Sequence, residues 1–326
     1  MNKKRHRKEK NNNSKNNSIK NENSDKNSIN KMDEEDDDEK NKDNELFNCV
    51  FIFSCILPDY FFMIKNLILP NFISENLSLN GLTDLIISQR EDVGTTLKVE
   101  NDDENKIFGV FTLIPFPFYK ENPSVTQFTT MLKSKIQTIN DSNLKITLMS
   151  ILNNNKLGLL INDRFINLPE PLISPSLNFV INEIDECVEI ANDKNNKDIS
   201  IEEKNKYNLD YILIYSRYIL KDMKDNYNEG NNEKYNDDNN YINLVINENN
   251  NKKVKIDEKD YKLYYKYEME YFIRKADYSF DYKLCGGIYD SSSIYFDKNN
   301  KEKQYMKIVF ITKKNFYEVI NQLNKK

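Results

Sequence analysis

Short apolar runs alternate along the chain with segments in which apolar residues recur every three or four positions. The runs predict β-strands, because apolar stretches bounded by turn residues are typical of strands in a sheet. They cover 46–57, 95–100, 107–114, 157–161, 209–220, 276–284 and 304–311. The three- and four-residue spacing predicts amphipathic helices. These cover 59–69, 82–86, 124–139, 144–152, 171–190 and 315–323.

This alternation predicts an α/β domain that holds a single mixed β-sheet flanked by helices on both faces. The strand over 46–57 is expected to be buried, because it is rich in Phe, Val, Ile and Cys. A hairpin is expected over 94–114, and Pro70 should end or kink the preceding helix. Segment 261–272 is aromatic-rich and fits either a helix or a strand.

Three stretches are too polar to build a core. Residues 1–44 contain almost no large apolar side chains and are predicted to form a disordered tail. Residues 191–208 and 221–258 are rich in Asn, Asp and Lys, and we expect low-complexity surface insertions there. The remaining sequence over 45–326 is long enough for one sizeable domain.

The tail is basic first and acidic afterwards. A basic cluster typical of nuclear import or nucleic-acid contact comprises Lys3, Lys4, Arg5, Arg7 and Lys8. The acidic run that follows is a candidate for binding a basic client, and comprises Asp33, Glu34, Glu35, Asp36, Asp37, Asp38 and Glu39. A solvated tail without a specific partner is the plain alternative for both.

Several kinds of chemistry are not expected. The only histidine of the chain is His6, in the tail, which excludes a His-dependent triad or a His-ligated metal from the folded domain. The four cysteines are far apart without a CxxC pair, which argues against a disulfide framework or zinc site and fits a reducing compartment. Pro58 and Asp59 interrupt the first apolar run, which argues against a membrane span. We therefore predict no catalytic residue, no cofactor and no metal.

The segment 157–171, with the sequence LGLLINDRFINLPEP, is the most unusual in the chain. A short buried strand is followed by a polar triplet, a second apolar pair and a proline-rich turn into a helix. Asp163 and Arg164 are adjacent, so in an extended chain their side chains point to opposite faces. A surface charge pair at the end of a strand is the plain interpretation.

Taken in order, five segments resemble the BCCIP family, a group of eukaryotic nuclear proteins. The most specific is LGLLINDRFINLP over 157–169, which is similar to the family's pattern vGLLlsERfiNvPp. The others are LTDLIISQREDVGTTLKV (82–99), IFGVFTLI (107–114), YILIYSRYI (211–219) and YFIRKADYSFDY (271–282). The resemblance covers about 45–326 and departs from the family at Asp163, where Glu is more usual, and at Glu170, which takes a small-residue or proline position.

The resemblance implies a non-enzymatic nuclear protein that shuttles to the cytoplasm. It would escort a basic ribosomal protein in large-subunit biogenesis and export, with transport factors as partners and with cell-cycle or DNA-repair contacts in some members. It also implies a fold similar to the GNAT acetyltransferase scaffold. The glycines of this chain form no R/Q-x-x-G-x-G/A loop to cradle acetyl-coenzyme A.

The family signature would serve either structure or partner binding. Its residues here are Gly158, Asp163, Arg164, Phe165, Asn167, Leu168 and Pro169. We expect Asp163 or Arg164 to pair within the fold and to fix the turn at 167–169 against the sheet.

Two alternatives stay open at this point. One is an RNA-binding protein that uses the basic tail and the Tyr-rich segment 261–282, whose interleaved Tyr and Lys residues over 261–267 could stack on bases. Core packing is the plain interpretation of that segment. The other is an acetyltransferase on the GNAT-like scaffold.

Overall fold

One eight-stranded sheet runs through the computed structural model, which describes residues 50–72, 75–102, 104–154, 156–193, 196, 198–222, 260–284 and 304–325. Its strands are β1 (Phe51–Cys55), β2 (Thr95–Val99), β3 (Ile107–Pro115), β4 (Leu157–Arg164), β5 (Tyr211–Asp222), β6 (Asp260–Tyr264), β7 (Tyr278–Lys283) and β8 (Gln304–Thr312). The helices are α1 (Phe61–Phe72), α2 (Leu79–Ser88), α3 (Pro123–Gln137), α4 (Ser142–Asn153), α5 (Ile173–Asn192), α6 (Ile201–Lys204), α7 (Met269–Lys275) and α8 (Lys313–Leu323). Short 3-10 turns, Pro58–Tyr60 and Glu170–Leu172, precede α1 and α5.

The strands follow the order β1-β2-β3-β4-β5-β8-β7, and β6 also pairs with β5. Every pairing is antiparallel except that of β4 with β5. The predicted mixed sheet and the hairpin of β2 and β3 are therefore confirmed.

Helices cover both faces of the sheet. α1 to α4 pack on one face around residues such as Ile64, Phe128 and Phe310. α5, α7 and α8 pack on the other face around Phe111, Leu177 and Phe316. Side chains alternate between these two cores along the central strands, as the period of two in a strand requires.

Most helix starts follow from local sequence. Ser78, Asn122 and Asp141 cap α2, α3 and α4, each accepting a hydrogen bond from a backbone N–H in the first turn. Pro123 occupies the first turn of α3, where a missing N–H is harmless. These starts lie within a few residues of the predicted ones.

The structure corrects three expectations. β1 is the end strand of the described sheet and is half exposed, because helices cover only part of it; its predicted beginning at 46–49 lies outside the described residues. α1 continues two residues beyond Pro70 instead of ending there. The stretch 191–208 is not all surface, since it ends in the buried side chains of Lys206 and Tyr207.

Segment 261–272 is both strand and helix, because β6 ends at Tyr264 and α7 begins at Met269. The insertion predicted over 221–258 starts within β5, and its residues from 223 onward lie outside the described part. The tail 1–44 lies outside it as well. Within the described part, no helix combines the length and the apolar character needed to cross a membrane.

Candidate functional site: the charged cluster between β4 and β5

The parallel pair β4 and β5 separates soon after it forms. Leu157–Leu159 pair with Tyr211–Leu213, and the rest of β4 is bonded only to β3. Farther along, Tyr218 pairs with β8 on one side and with β6 on the other. β6 therefore lies on the same edge of β5 as β4, and the segment 265–268 that leaves β6 enters the gap between the two strands.

Asp163 lies at the centre of the gap, on the face of the sheet that α1 covers. It is 1% exposed and accepts hydrogen bonds from the Asn71 amide at 2.9 Å and from the Tyr215 hydroxyl. The Lys266 ammonium lies 2.8 Å from the same carboxylate. Burial, together with this carboxylate, raises the pKa of Tyr215 well above its usual value, so the hydroxyl remains a donor.

Arg164 faces the opposite side of the sheet, as its position next to Asp163 requires. Its guanidinium donates two hydrogen bonds to Glu268, at 2.8 and 2.6 Å, in the bidentate geometry that favours arginine. The Asn162 amide, on the same face, donates to Glu268 at 2.9 Å. Burial alone would lower the pKa of Arg164, but Glu268 outweighs that effect and the pKa is raised.

Lys266 joins the two faces. Its ammonium donates to the Asn162 side-chain oxygen at 2.6 Å and to the Tyr215 carbonyl at 3.2 Å, besides pairing with Asp163. It also lies 4.3 Å from the centre of the Tyr215 ring. Burial lowers the pKa of Lys266, and the neighbouring carboxylates offset only part of that effect.

We call Asp163, Arg164, Lys266 and Glu268 the charged cluster. It contains two acids and two bases, and each carboxylate is bonded to a base across the gap. Buried charges are stable only when they are paired and hydrogen-bonded in this way. The cluster thus closes the gap between β4 and β5 with the chain's own side chains.

The corner that follows β4 is not suited to hold a pyrophosphate. Pro169 and Pro171 have no N–H, and Glu170 places a negative charge in the first turn before α5. The N–H groups of Leu168 and Leu172 already donate to carbonyls at 3.2 and 3.1 Å. A phosphate cradle needs several free N–H groups at a helix start, and these four positions supply none.

A pocket of about 380 Å³ lies away from the cluster, between the starts of α2 and α3. The caps at its rim, Ser78 and Asn122, are engaged with the N–H groups of their own helices, and Asp84 adds negative charge. Among the described residues, no three His, Cys, Asp or Glu side chains are grouped as a metal site.

Comparison with known proteins decides the family. The BCCIP family model matches residues 46–274, which include the charged cluster. This chain belongs to the BCCIP family.

Curated relatives in the BCCIP family agree with that assignment. Protein bcp1 of Schizosaccharomyces pombe is 28% identical over 180 residues, covering 54% of this chain and 58% of the relative. The BCCIP homolog of Drosophila melanogaster is 27% identical over 175 residues, covering 49% of this chain and 54% of the relative. The matches thus span little more than half the length of these relatives. The crystal structure of BCP1 from Saccharomyces cerevisiae aligns with 89% of this chain and 93% of its own, with 15% identity and a TM-score of 0.49.

The BCCIP signature residues divide into buried and exposed groups. Gly158 lies inside β4, where an added Cβ would come within 2.7 Å of Leu209, so the close packing explains the glycine. Asp163, Arg164 and Leu168 are enclosed, whereas Phe165, Asn167 and Pro169 are exposed. The expectation that Asp163 or Arg164 pairs within the fold is confirmed for both, with Lys266 and Glu268 as the respective partners. The turn itself is held by other contacts, namely the packing of Leu168 and a 3.0 Å bond from the Tyr267 hydroxyl to the Glu170 carbonyl.

Sequence reasoning missed the other half of the cluster. Lys266 and Glu268 lie about one hundred residues from Asp163, within a segment whose Tyr and Lys content suggested base stacking. The only indication was indirect, since a buried Asp-Arg pair needs partners. The basic cluster at 3–8 and the acidic run at 33–39 lie outside the described residues.

The same geometry weakens the RNA-binding alternative at this segment. Lys266 is enclosed and paired, and Lys262 lies 3.2 Å from Asp281. The Tyr264 ring packs against Tyr218 with centroids 5.2 Å apart. These lysines and this ring are engaged within the protein, which favours packing over base stacking for the described part of this segment.

Proposed function

We propose that this BCCIP-family protein is a non-enzymatic nuclear binding factor that escorts a basic ribosomal protein during large-subunit biogenesis and nuclear export. The observation that carries the proposal is the charged cluster. The gap between β4 and β5 would be the natural cleft of this sheet, and four paired side chains fill it. With this cleft filled, the binding of a partner takes place on the outer surface of the protein.

Family membership supports the general part of the proposal. The BCCIP family is not a known enzyme family, and membership supports a non-catalytic protein-binding role. The corner 165–172 adds to this support, because its two prolines and the negative charge of Glu170 disfavour the binding of a pyrophosphate. Calorimetry with acetyl-coenzyme A tests this directly; saturable binding would revive the acetyltransferase alternative.

The tail supplies the charge for a basic client. The acidic run 33–39 contains seven consecutive carboxylates, which would attract and screen a lysine-rich surface. The basic cluster at 3–8 would direct import, with transport factors as the partners. Replacing Lys3, Lys4, Arg5, Arg7 and Lys8 by Ala should move a fluorescent fusion from the nucleus to the cytoplasm; unchanged nuclear fluorescence would contradict that role.

The experiment that tests the client uses purified large-subunit ribosomal proteins presented one at a time to the immobilised full chain. We expect one or a few to be retained, with affinity that falls as salt is raised. A matched variant with every residue of 33–39 changed to Asn or Gln should bind the same client more weakly. Retention of none, or equal weak retention of all, would contradict the escort function.

A further inference from the structure

Five phenylalanine side chains form a row along the end of the sheet that carries β1. We call Phe51, Phe53, Phe108, Phe165 and Phe179 the phenylalanine row. Phe53 stacks on Phe179 of α5 with ring centroids 5.5 Å apart. Phe51 meets Phe108 edge-on at 6.0 Å, and Phe108 meets Phe165 at 5.8 Å.

The row is partly accessible to solvent, with Phe51 and Phe108 half-buried and the other three rings more exposed. Phe53, Phe165 and Phe179 are 37%, 38% and 36% exposed, and neighbouring Ile166 is 63% exposed. Isolated exposed apolar side chains are ordinary, but a contiguous aromatic patch is typical of an interaction surface. Aromatic residues also carry a large share of binding energy at protein interfaces.

The backbone beside the row offers hydrogen bonds. The Val50 carbonyl accepts from the Glu100 N–H at 2.8 Å, so Val50 faces β2. Because pairing alternates along an antiparallel strand, the N–H and C=O groups of Phe51 and Phe53 point outward. No described strand pairs with that side of β1.

β1 has none of the usual protection of an edge strand. Its sequence FIFSC contains no charged residue and no proline, the features that normally prevent another strand from pairing. Aromatic side chains and outward N–H and C=O groups therefore lie on the same accessible edge, which is the geometry needed for strand addition.

The charges around this edge favour a basic partner. Glu100 is exposed and pairs with Val50, so it lies on the sheet face opposite the phenylalanine row, where the basic residues of an added strand would point. The nearby Lys106 is paired with Glu104, and Lys98, on the same face as Glu100, is bonded to Asn105 and lies over the Tyr60 ring.

We propose that β1 binds an extended segment of a partner protein, in which apolar and basic residues alternate, as an additional antiparallel strand. The apolar side chains lie on the phenylalanine row, and the basic ones point to the opposite face of the sheet, where Glu100 is exposed. This proposal rests on the proposed function insofar as the partner is the basic client, and it adds the surface that holds that client.

The test uses a fluorescent peptide of alternating lysine and valine, whose binding to the full chain is followed by anisotropy. When the peptide pairs with β1 as an antiparallel strand, the peptide residue opposite Phe53 shares its face of the sheet and exchanges backbone hydrogen bonds with it. The valines, which lie on that face, therefore point their N–H groups at β1. N-methylation of the valines should therefore weaken binding about tenfold or more, equivalent to about 1.4 kcal/mol. N-methylation of the lysines, which preserves composition and charge, should leave it unchanged. Equal binding by the two methylated peptides would overturn the proposal.

Protein variants provide a second readout. Phe53→Glu should weaken binding of the unmethylated peptide about tenfold, whereas Phe62→Glu, at an exposed phenylalanine on α1, should not. If Phe53→Glu does not fold, the two methylated peptides still decide the question on the unaltered protein. Binding that depends only on residues 33–39 would overturn the proposal, as would a dimer that Phe53→Glu converts to a monomer.

The outcomes separate this proposal from the escort function. If a ribosomal client binds Phe53→Glu with the same affinity as the unaltered chain, the escort function stands and binding of that client at the β1 edge is refuted. If no ribosomal protein bound while the peptide still bound at β1, the escort function would be refuted and binding at the β1 edge would stand.

Discussion

The two ends of the short segment 162–166 are packed in opposite ways. Asn162 and Asp163 are polar and enclosed, whereas Phe165 and Ile166 are apolar and exposed only two or three residues later. Asp163 belongs to the charged cluster, Asn162 is hydrogen-bonded to its members Lys266 and Glu268, and Phe165 belongs to the phenylalanine row. An ordinary hydrophobic pattern would place them the other way round.

The difference shows that polarity alone does not separate structure from function in this family. The charged residues of the signature lie enclosed where β4 and β5 diverge, whereas Phe165 faces solvent. The exposed large apolar patch is the more informative feature for binding, because a buried ion network can be purely structural. Three substitutions compare the two regions, from the largest expected effect to the smallest.

Glu268→Ala should destabilise the protein most, by about 3–5 kcal/mol, because it leaves Arg164 buried without its carboxylate. Urea unfolding at neutral pH measures the change. The matched control is Glu318→Ala, which breaks a 3.2 Å pair with Lys275 whose side chains are about two-fifths exposed. That control should change the free energy of unfolding by less than about 1 kcal/mol. Equal effects would mean that the cluster does not hold the gap closed.

Tyr215→Phe should lower the free energy of unfolding by about 1.5–3 kcal/mol, because the buried Asp163 carboxylate loses a donor. The ring and its packing are retained, so the loss isolates the hydroxyl. The control is Tyr317→Phe, whose hydroxyl bonds the exposed carboxylate of Asp185 at 2.7 Å. A larger loss in the control would contradict the central place of Asp163.

Tyr215→Phe also has a signature in alkaline solution. Burial raises the pKa of Tyr215 above the value of about 10 that it has when unfolded. The unfolded chain therefore releases this proton first, and the free energy of unfolding falls as pH rises above about 10. The pKa of Lys266 is lowered by burial, so the unfolded chain holds this proton more tightly than the folded one. This group therefore makes the free energy of unfolding rise with pH below about 10.5. Tyr215→Phe should make the alkaline fall shallower, which unfolding curves between about pH 9 and 11 would show; an unchanged slope would contradict the assignment.

Phe53→Ala should have the smallest effect on stability, about 1 kcal/mol or less, because the ring already contacts water. Phe111→Ala is the control on the same face of the sheet, where the ring is fully buried, and should lower the free energy of unfolding by about 3–5 kcal/mol. A loss at Phe53 as large as that at Phe111 would show that the row is core and not a surface for partners.

The sequence predicts much of the fold because the elements follow local periodicity. The apolar runs of β3, β4 and β8 and the spacing in α3 and α8 are sufficient to locate these elements to within a few residues. β1 was misjudged because an apolar composition indicates a strand without indicating how much of it is covered. The exposure of Phe53 depends on helices that leave the sheet edge open.

The site could be predicted only in part. That Asp163 and Arg164 face opposite sides follows from adjacency in a strand. That Lys266 and Glu268 are their partners depends on the path of β6 along β5, which brings together residues about one hundred positions apart. No local pattern encodes that contact.

Amide hydrogen exchange on the free protein tests the contrast between the two regions most directly. The Tyr265 N–H donates to the Arg217 carbonyl and the Met269 N–H to the Lys266 carbonyl, at 3.1 and 3.0 Å, on either side of the buried Lys266. If the cluster closes the gap, these amides exchange only through global unfolding, while the outward N–H of Phe53 exchanges quickly. Fast exchange at Tyr265 and Met269, together with protection at Phe53, would mean that the gap opens and that the β1 edge is covered, and would contradict the account.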